Sequence, residues 1–204
     1  MLPKMSSAPT DFSALLPPNL TSVIEGWIHD DMPSFDVGGL VVGDEEKQAQ
    51  LLMKSPGVFA GKPFFDLVFK TLGCKIEWNE ELAVEGVHKD ITDKICLATV
   101  TGPAHMLLRG ERTALNTLSR CSGIASLSRE AADTAKNLGW DGWVAGTRKT
   151  TPGFRIVEKY GLLVGGAATH RLVRWKADFN EFVKRIKQVT YRNVFFNRRI
   201  LVRW

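Results

Sequence analysis

The chain has 204 residues, 44% hydrophobic and 24% charged, a balance that can bury a core in one large domain or two small ones. No apolar run approaches the roughly 18 residues that would suggest a membrane span, and Met1–Pro9 lacks the continuous apolar stretch of a secretory signal. The net charge of +5 is uneven: residues 172–204 hold nine Lys/Arg against Asp178 and Glu181, so this tail carries +7 and the first 171 residues carry −2. A basic surface serving nucleic acid is therefore not a property of the whole chain.

Asn19 or Thr21 is placed to cap a first helix with the stripe Leu20, Val23, Ile24, Trp27 and Ile28, which Asp30, Asp31 and Pro33 end. Strand-like stretches follow at Gly39–Val42 and Gln50–Met53, then a turn at Lys54-Ser55-Pro56-Gly57. Pro63 opens a second helix and Gly73 closes it. Cys74–Trp78 and Lys94–Val100 read as strands around the polar, turn-rich segment Asn79–Asp93.

From Pro103 to Leu138 the period is helical. One stripe holds Leu107, Leu108, Leu115 and Leu118, a second Ile124, Leu127, Ala131 and Ala135. Cys121-Ser122-Gly123 is expected to break the run into two helices, and Gly139 to cap the second. Trp143–Thr147 then reads as a short strand, residues 148–153 as a loop at its carboxyl end, and Phe154–Tyr160 as a helix, followed by the apolar, small-residue run Gly161–Ala168. The whole predicts an α+β N-terminal domain (residues 1–125) followed by the first βα unit of an α/β barrel (residues 126–171) and a divergent basic tail (residues 172–204).

Active sites of α/β barrels sit on loops at the carboxyl ends of strands, where Arg148 and Lys149 fall. Two adjacent cations repel each other, so the pair suits an anion carrying more than one charge. His170 and Arg171 supply further donors, and Arg112 a fifth. Each signal alone also fits a blander role: a solvated Arg-Lys pair, a structural histidine, an Arg112 paired with Glu111 or a neighbouring helix. Arg155 and Lys159 read as solvated-face charges. The run from Gly161 to Gly166 matches no phosphate-binding glycine motif. His29, His88 and His105 sit in no catalytic pattern, and Cys74, Cys96 and Cys121, without CxxC or metal spacing, read as reduced core thiols of a cytoplasmic protein.

Longer motifs carry more. Glu111-Arg112-Thr113-Ala114-Leu115-Asn116 with Cys121-Ser122-Gly123-Ile124-Ala125, the run from Gly146 through Arg148-Lys149-Thr150-Thr151-Pro152-Gly153 to Arg155, Glu158-Lys159-Tyr160, and Gly165-Gly166-Ala167-Ala168-Thr169-His170-Arg171 resemble, in order and spacing, the quinolinate phosphoribosyltransferases. Lys54-Ser55-Pro56-Gly57-Val58 with Gly61 is similar to that family's N-terminal domain. The resemblance implies an enzyme of NAD biosynthesis, a pentosyltransferase that joins quinolinate to phosphoribosyl pyrophosphate. Its products would be pyrophosphate, carbon dioxide and nicotinate mononucleotide. It further implies that Arg148, Lys149, His170 and Arg171 line the pocket for the carboxylates and part of the phosphates, with no catalytic acid or base assigned. Arg112 would reach a neighbour's pocket in a homo-oligomer, a dimer or a hexamer built of dimers. Mg2+ is the implied cofactor, and no membrane or nucleic-acid partner is expected.

The resemblance ends at Arg171. The family's later βα units, with a further lysine and the acidic residues for metal and ribose, give way to Leu172-Val173-Arg174-Trp175, a tetrapeptide repeated at Leu201–Trp204, with Phe179, Phe182, Val183 and Ile186 at helical spacing between. The chain is accordingly expected to be inactive by itself and poorly folded beyond about residue 140. The alternative is a non-catalytic isoform that pairs with full-length subunits.

Overall fold

A computed structural model describes residues 11–140, 142–169 and, for the backbone, 200–203. Helix α1 (Leu20–Asp31) buries Leu20, Ile24 and Ile28, one side chain per turn, from an N-cap position at Asn19 whose side chain makes no capping bond. Helix α2 (Val37–Val42) replaces the strand expected at Gly39–Val42. The β-branched content of Val37-Gly-Gly-Leu-Val-Val suggested extension. The deciding residue is Asp36, whose carboxylate accepts from Gly39 N at 2.7 Å and from Arg109 Nη2 at 2.9 Å. These hydrogen bonds, that from the Gly39 backbone first, hold the Asp36 carboxyl below its usual range.

Strand β1 (Glu46–Met53) leads to the two-residue β2 (Gly57–Val58) and helix α3 (Lys62–Thr71). Pro63 sits in the first turn of α3, which buries Phe64, Phe65, Val68 and Phe69. Strand β3 (Lys75–Trp78) follows. The polar segment after it contains β4 (His88–Lys89), antiparallel to β2, and then comes β5 (Ile95–Pro103). Strands β1, β3 and β5 form with β8 (Ile200–Arg203) an antiparallel sheet in the order β3-β5-β1-β8, apart from the β2–β4 pair. A bulge between Leu51 and Leu52 shifts the β1–β5 register. The core joins Ala49, Leu51 and Met53 of β1 and Ala98 and Val100 of β5 to the α3 aromatics.

Helix α4 runs unbroken from Ala104 to Asn137. The expected break at Cys121-Ser122-Gly123 does not occur. Ser122 turns its hydroxyl outward to the chain at Ala60, accepting from Ala60 N at 3.1 Å and donating to Ala60 O at 2.9 Å. Gly123 has open space around its Cα and stays helical. The buried face also differs from the expected stripes. It follows Leu107, Gly110, Ala114, Leu118, Cys121, Ala125 and Ser128, while Leu108 and Leu127 are exposed. Small residues line it because other chain segments press close. Leu138 and Gly139 end α4, Gly139 at φ 75°, with Gly139 N and Trp140 N bonding back to Lys136 O and Ala135 O.

Strand β6 (Ala145–Gly146), shorter than the expected Trp143–Thr147, leads through a loop to α5 (Arg155–Val164), one turn longer than expected, and to β7 (Ala168–Thr169), parallel to β6. This is the opening β–α–β of an α/β domain, behind an α+β unit. The expectation of unpacked apolar faces beyond residue 140 fails for residues 142–169. Val157, Tyr160 and Val164 of α5 join the main core, because α4 supplies the surface that buries them. The stripe Phe179, Phe182, Val183 and Ile186 lies outside the described residues. Among the described residues no helix is long and apolar enough to cross a membrane.

Candidate functional site

The loop between β6 and α5, residues 147–154, is held along its backbone. The Thr147 hydroxyl accepts from Lys149 N at 3.2 Å and lies 3.5 Å from Lys149 O, a turn closed by its own side chain. Arg155 Nε donates to Thr150 Oγ1 at 3.2 Å, so this arginine, expected on the solvated face, reaches back into the loop. Thr151 N donates to Glu158 Oε2 at 3.2 Å. Gly153, at φ 76°, makes the left-handed step into α5. Phe154 stacks on Trp27 of α1 with ring centroids 5.3 Å apart.

Arg148 and Lys149 project from this backbone and are exposed. Among the described residues neither guanidinium nor ammonium has an ion pair or hydrogen bond. Two neighbouring cations with no counter-charge among the described residues can attract a multiply charged anion, and a guanidinium fork can offer it two parallel donors. Strands β6 and β7 are parallel, so the carboxyl end of β7 at Thr169 faces the same side of this small sheet as the loop. The expected site residues His170 and Arg171 follow next in sequence and lie outside the described residues.

Arg112 is elsewhere. Its side chain is 72% exposed on α4 and reaches Asp31, at the end of α1, at 3.2 Å. No bond among those described joins it to the cation loop.

Sequence reasoning missed the supports of the site. Glu158, only 9% exposed, holds Thr151 N with one oxygen and Arg120 Nη1 of α4 at 3.4 Å with the other. A carboxylate one helical turn inside a helix that follows an Arg-Lys loop is a readable signal for such a partner. Ser122 of the signature and Ser126 just after it act on packing: Ser126 Oγ accepts from Val58 N at 2.8 Å while Ser122 binds Ala60, so α4 is sewn to the Gly57–Gly61 strand end. Cys121 is fully buried there, and burial pushes its thiol pKa up, away from nucleophilic chemistry. Gly161 and Gly165 fit against the backbone of α4: a Cβ on Gly161 would meet Cys121 O at 2.6 Å, and one on Gly165 would meet Ala125 O. Gly161 and Gly165 thus serve helix packing.

An open groove of about 480 Å3 lies beside the start of α3, away from the cation loop. Asp11, Asp66, Glu80 and Glu85 line it against Lys62, the wrong sign for an anionic substrate.

Comparison with known proteins agrees with this architecture. The model of the quinolinate phosphoribosyl transferase N-terminal domain matches residues 36–122, and that of the C-terminal domain residues 124–174. The chain is 54% identical over 158 residues to the Homo sapiens protein named nicotinate-nucleotide pyrophosphorylase (carboxylating), covering 77% of this chain and 52% of that one. A Dictyostelium discoideum protein of the same name is 43% identical over 175 residues, with 79% and 58% covered. NadC from Streptococcus pyogenes superposes with a TM-score of 0.67 at 26% identity, over 89% of this chain and 67% of that one. A NadC deletion mutant gives 0.68 at 28%, over 92% and 68%. The chain spans about half the length of its Homo sapiens relative. Both domain models, one on either side of residue 123, and the shared fold establish that the chain belongs to the quinolinate phosphoribosyl transferase family.

Proposed function

We propose that the chain binds quinolinate through Arg148 and Lys149 and is the substrate-binding part of an enzyme that transfers a phosphoribosyl group to it, without turnover by itself. The full reaction would release pyrophosphate and carbon dioxide and yield nicotinate mononucleotide. The observation that carries this reading is the pair of exposed cations, without an ion pair among the described residues, on a backbone-locked loop at the carboxyl end of β6. Quinolinate has two adjacent carboxylates, and two adjacent cations match that charge. His170 and Arg171, next in sequence after β7, belong to the same proposed pocket.

The chemistry asks mainly for fixed positive charge. Displacement at the ribose anomeric carbon develops oxocarbenium character as pyrophosphate leaves, and loss of carbon dioxide then leaves an electron pair on the ring carbon that takes up a proton from water. Cations that orient the diacid and neutralise the phosphates act through position and electrostatics, without proton transfer. Arg112, exposed on α4, is assigned to the pocket of a second copy in a homo-oligomer. Three unpaired thiols, Cys74, Cys96 and Cys121, suit a reducing compartment, which we take to be the cytoplasm.

Magnesium, the family-implied cofactor, does not fit the described residues. No group of three or more His, Cys, Asp or Glu among them is arranged to hold a metal, and the carboxylate that touches the loop, Glu158, is engaged by Thr151 and Arg120. No step is therefore assigned to it.

Calorimetric titration of this chain with quinolinate tests the reading. Arg148→Ala and Lys149→Ala should each weaken binding at least tenfold, about 1.4 kcal/mol, while Lys47→Ala on β1 leaves it unchanged. Wild-type affinity in the Arg148→Ala chain would sink the assignment.

A further inference from the structure

We infer that Glu158 is a positioning residue for the cation loop: it fixes the backbone that carries Arg148 and Lys149 to α4 and α5, without itself touching substrate. The inference rests on the quinolinate-binding reading above. Glu158 lies on α5, is 9% exposed and divides its two oxygens. Oε2 accepts from Thr151 N at 3.2 Å, and Oε1 faces Arg120 Nη1 on α4 at 3.4 Å. A nearly buried carboxylate is costly unless both oxygens are occupied, so the loop amide and the guanidinium make its burial tolerable and are in turn held by it.

The docking of α5 does not need this link. Val157, Tyr160 and Val164 are buried in the core, Tyr160 Oη donates to Glu85 at 2.6 Å, and Gly161 and Gly165 lie against the backbone of α4. Thr151, by contrast, is exposed, and nothing else described anchors its N–H. The loop anchor is therefore the contribution of Glu158 that packing does not duplicate.

The full 204-residue chain tests this with Glu158→Ala and Glu158→Gln. Hydrogen–deuterium exchange follows the loop, and quinolinate titration follows the site. Glu158→Ala should speed exchange across residues 147–154, leave α4 protected, and weaken quinolinate roughly tenfold or more, as displaced binding groups do. Glu158→Gln keeps an acceptor for Thr151 N, so its loop exchange and affinity should stay close to wild type. Unchanged loop exchange in Glu158→Ala overturns the inference, as does faster exchange with unchanged affinity or a Glu158→Gln chain that behaves like Glu158→Ala. A wild-type chain that fails to bind quinolinate sinks the functional reading instead, and the exchange measurement alone then decides whether Glu158 holds the loop.

Discussion

Glu85 and Tyr160 make the most consequential polar contact outside the loop. One Glu85 oxygen accepts from the backbone N–H groups of Gly61 and Lys62, the unsatisfied donors at the start of α3, and the other accepts from Tyr160 Oη at 2.6 Å. A carboxylate at a helix N-terminus is favoured by the helix dipole, yet burial dominates and raises the Glu85 pKa above its ordinary 4.5. Burial and the same carboxylate also push the Tyr160 hydroxyl up, so it remains a donor. Tyr160→Phe leaves a partly buried oxygen without its partner and should cost about 1–3 kcal/mol in chemical denaturation; a loss below the resolution of the measurement counts against the contact. The pH dependence has a defined sign. The folded chain holds the Glu85 proton more tightly than the unfolded chain, so this group's contribution is present below pH 4.5 and is lost as pH rises through the raised value. Glu85→Gln cannot ionise, and its melting temperature should gain on wild type across that window. A difference that stays constant with pH would contradict the burial.

At the scale of elements, the crossing of α4 and α5 shows how much of the fold is legible in sequence and where legibility stops. Periodicity located α1, α3, β1, β3, β5 and the α4 region because apolar residues recur at the spacing of each element, large ones in α1 and α3 and mostly small ones along the buried face of α4. It misplaced α2, where one carboxylate cap outweighs β-branched content, and it divided α4 at a glycine. Gly123 stays helical because neighbouring serines bond the strand end opposite, a fact with no local signature. The cation loop was legible from Arg148-Lys149 and the strand before it. Its anchors were not, since Trp27 and Arg120 are distant in sequence, 127 and 31 residues before Phe154 and Thr151. The glycines can be told apart by experiment. Gly165→Ala pushes a methyl into Ala125 O and Ser128 Cβ, and Gly161→Ala into Cys121 O, so each should destabilise by about 1–3 kcal/mol. Gly123→Ala meets nothing within 4 Å and should stabilise by up to about 1 kcal/mol through helix propensity. Equal effects of Gly123→Ala and Gly165→Ala on the thermal midpoint would show that the helices do not cross this closely.

Across the whole molecule, α4 decides whether the two family domains behave as one body. Its 34 residues span roughly 51 Å, and the division expected near residue 125 falls at a fully buried alanine in its middle. Arg129 on α4 donates to Gly86 O at 3.0 Å and to Gly165 O at 3.2 Å, so one side chain fastens the antiparallel unit and the end of α5 together. Arg120–Glu158, Glu85–Tyr160 and the T-shaped pair Phe64–Tyr160, at 5.3 Å, cross the same boundary. The core cluster is likewise continuous from Ile24 through Phe64 and Leu118 to Val164. Cutting α4 in two would leave helix ends without partners and expose both halves of that cluster. Unfolding of either half therefore removes the surface on which the other is packed, the condition for a single cooperative transition. Thermal unfolding should accordingly give coincident curves for far-ultraviolet dichroism, which follows all helices, and for the fluorescence of a chain keeping only Trp143 of its tryptophans, which reports the β6 region. In the Gly165→Ala chain the two curves should separate, with the Trp143 signal lost first, because the weakened crossing is what couples the halves. Separate transitions already in the parent chain would mean that α4 joins the domains in sequence without joining them energetically.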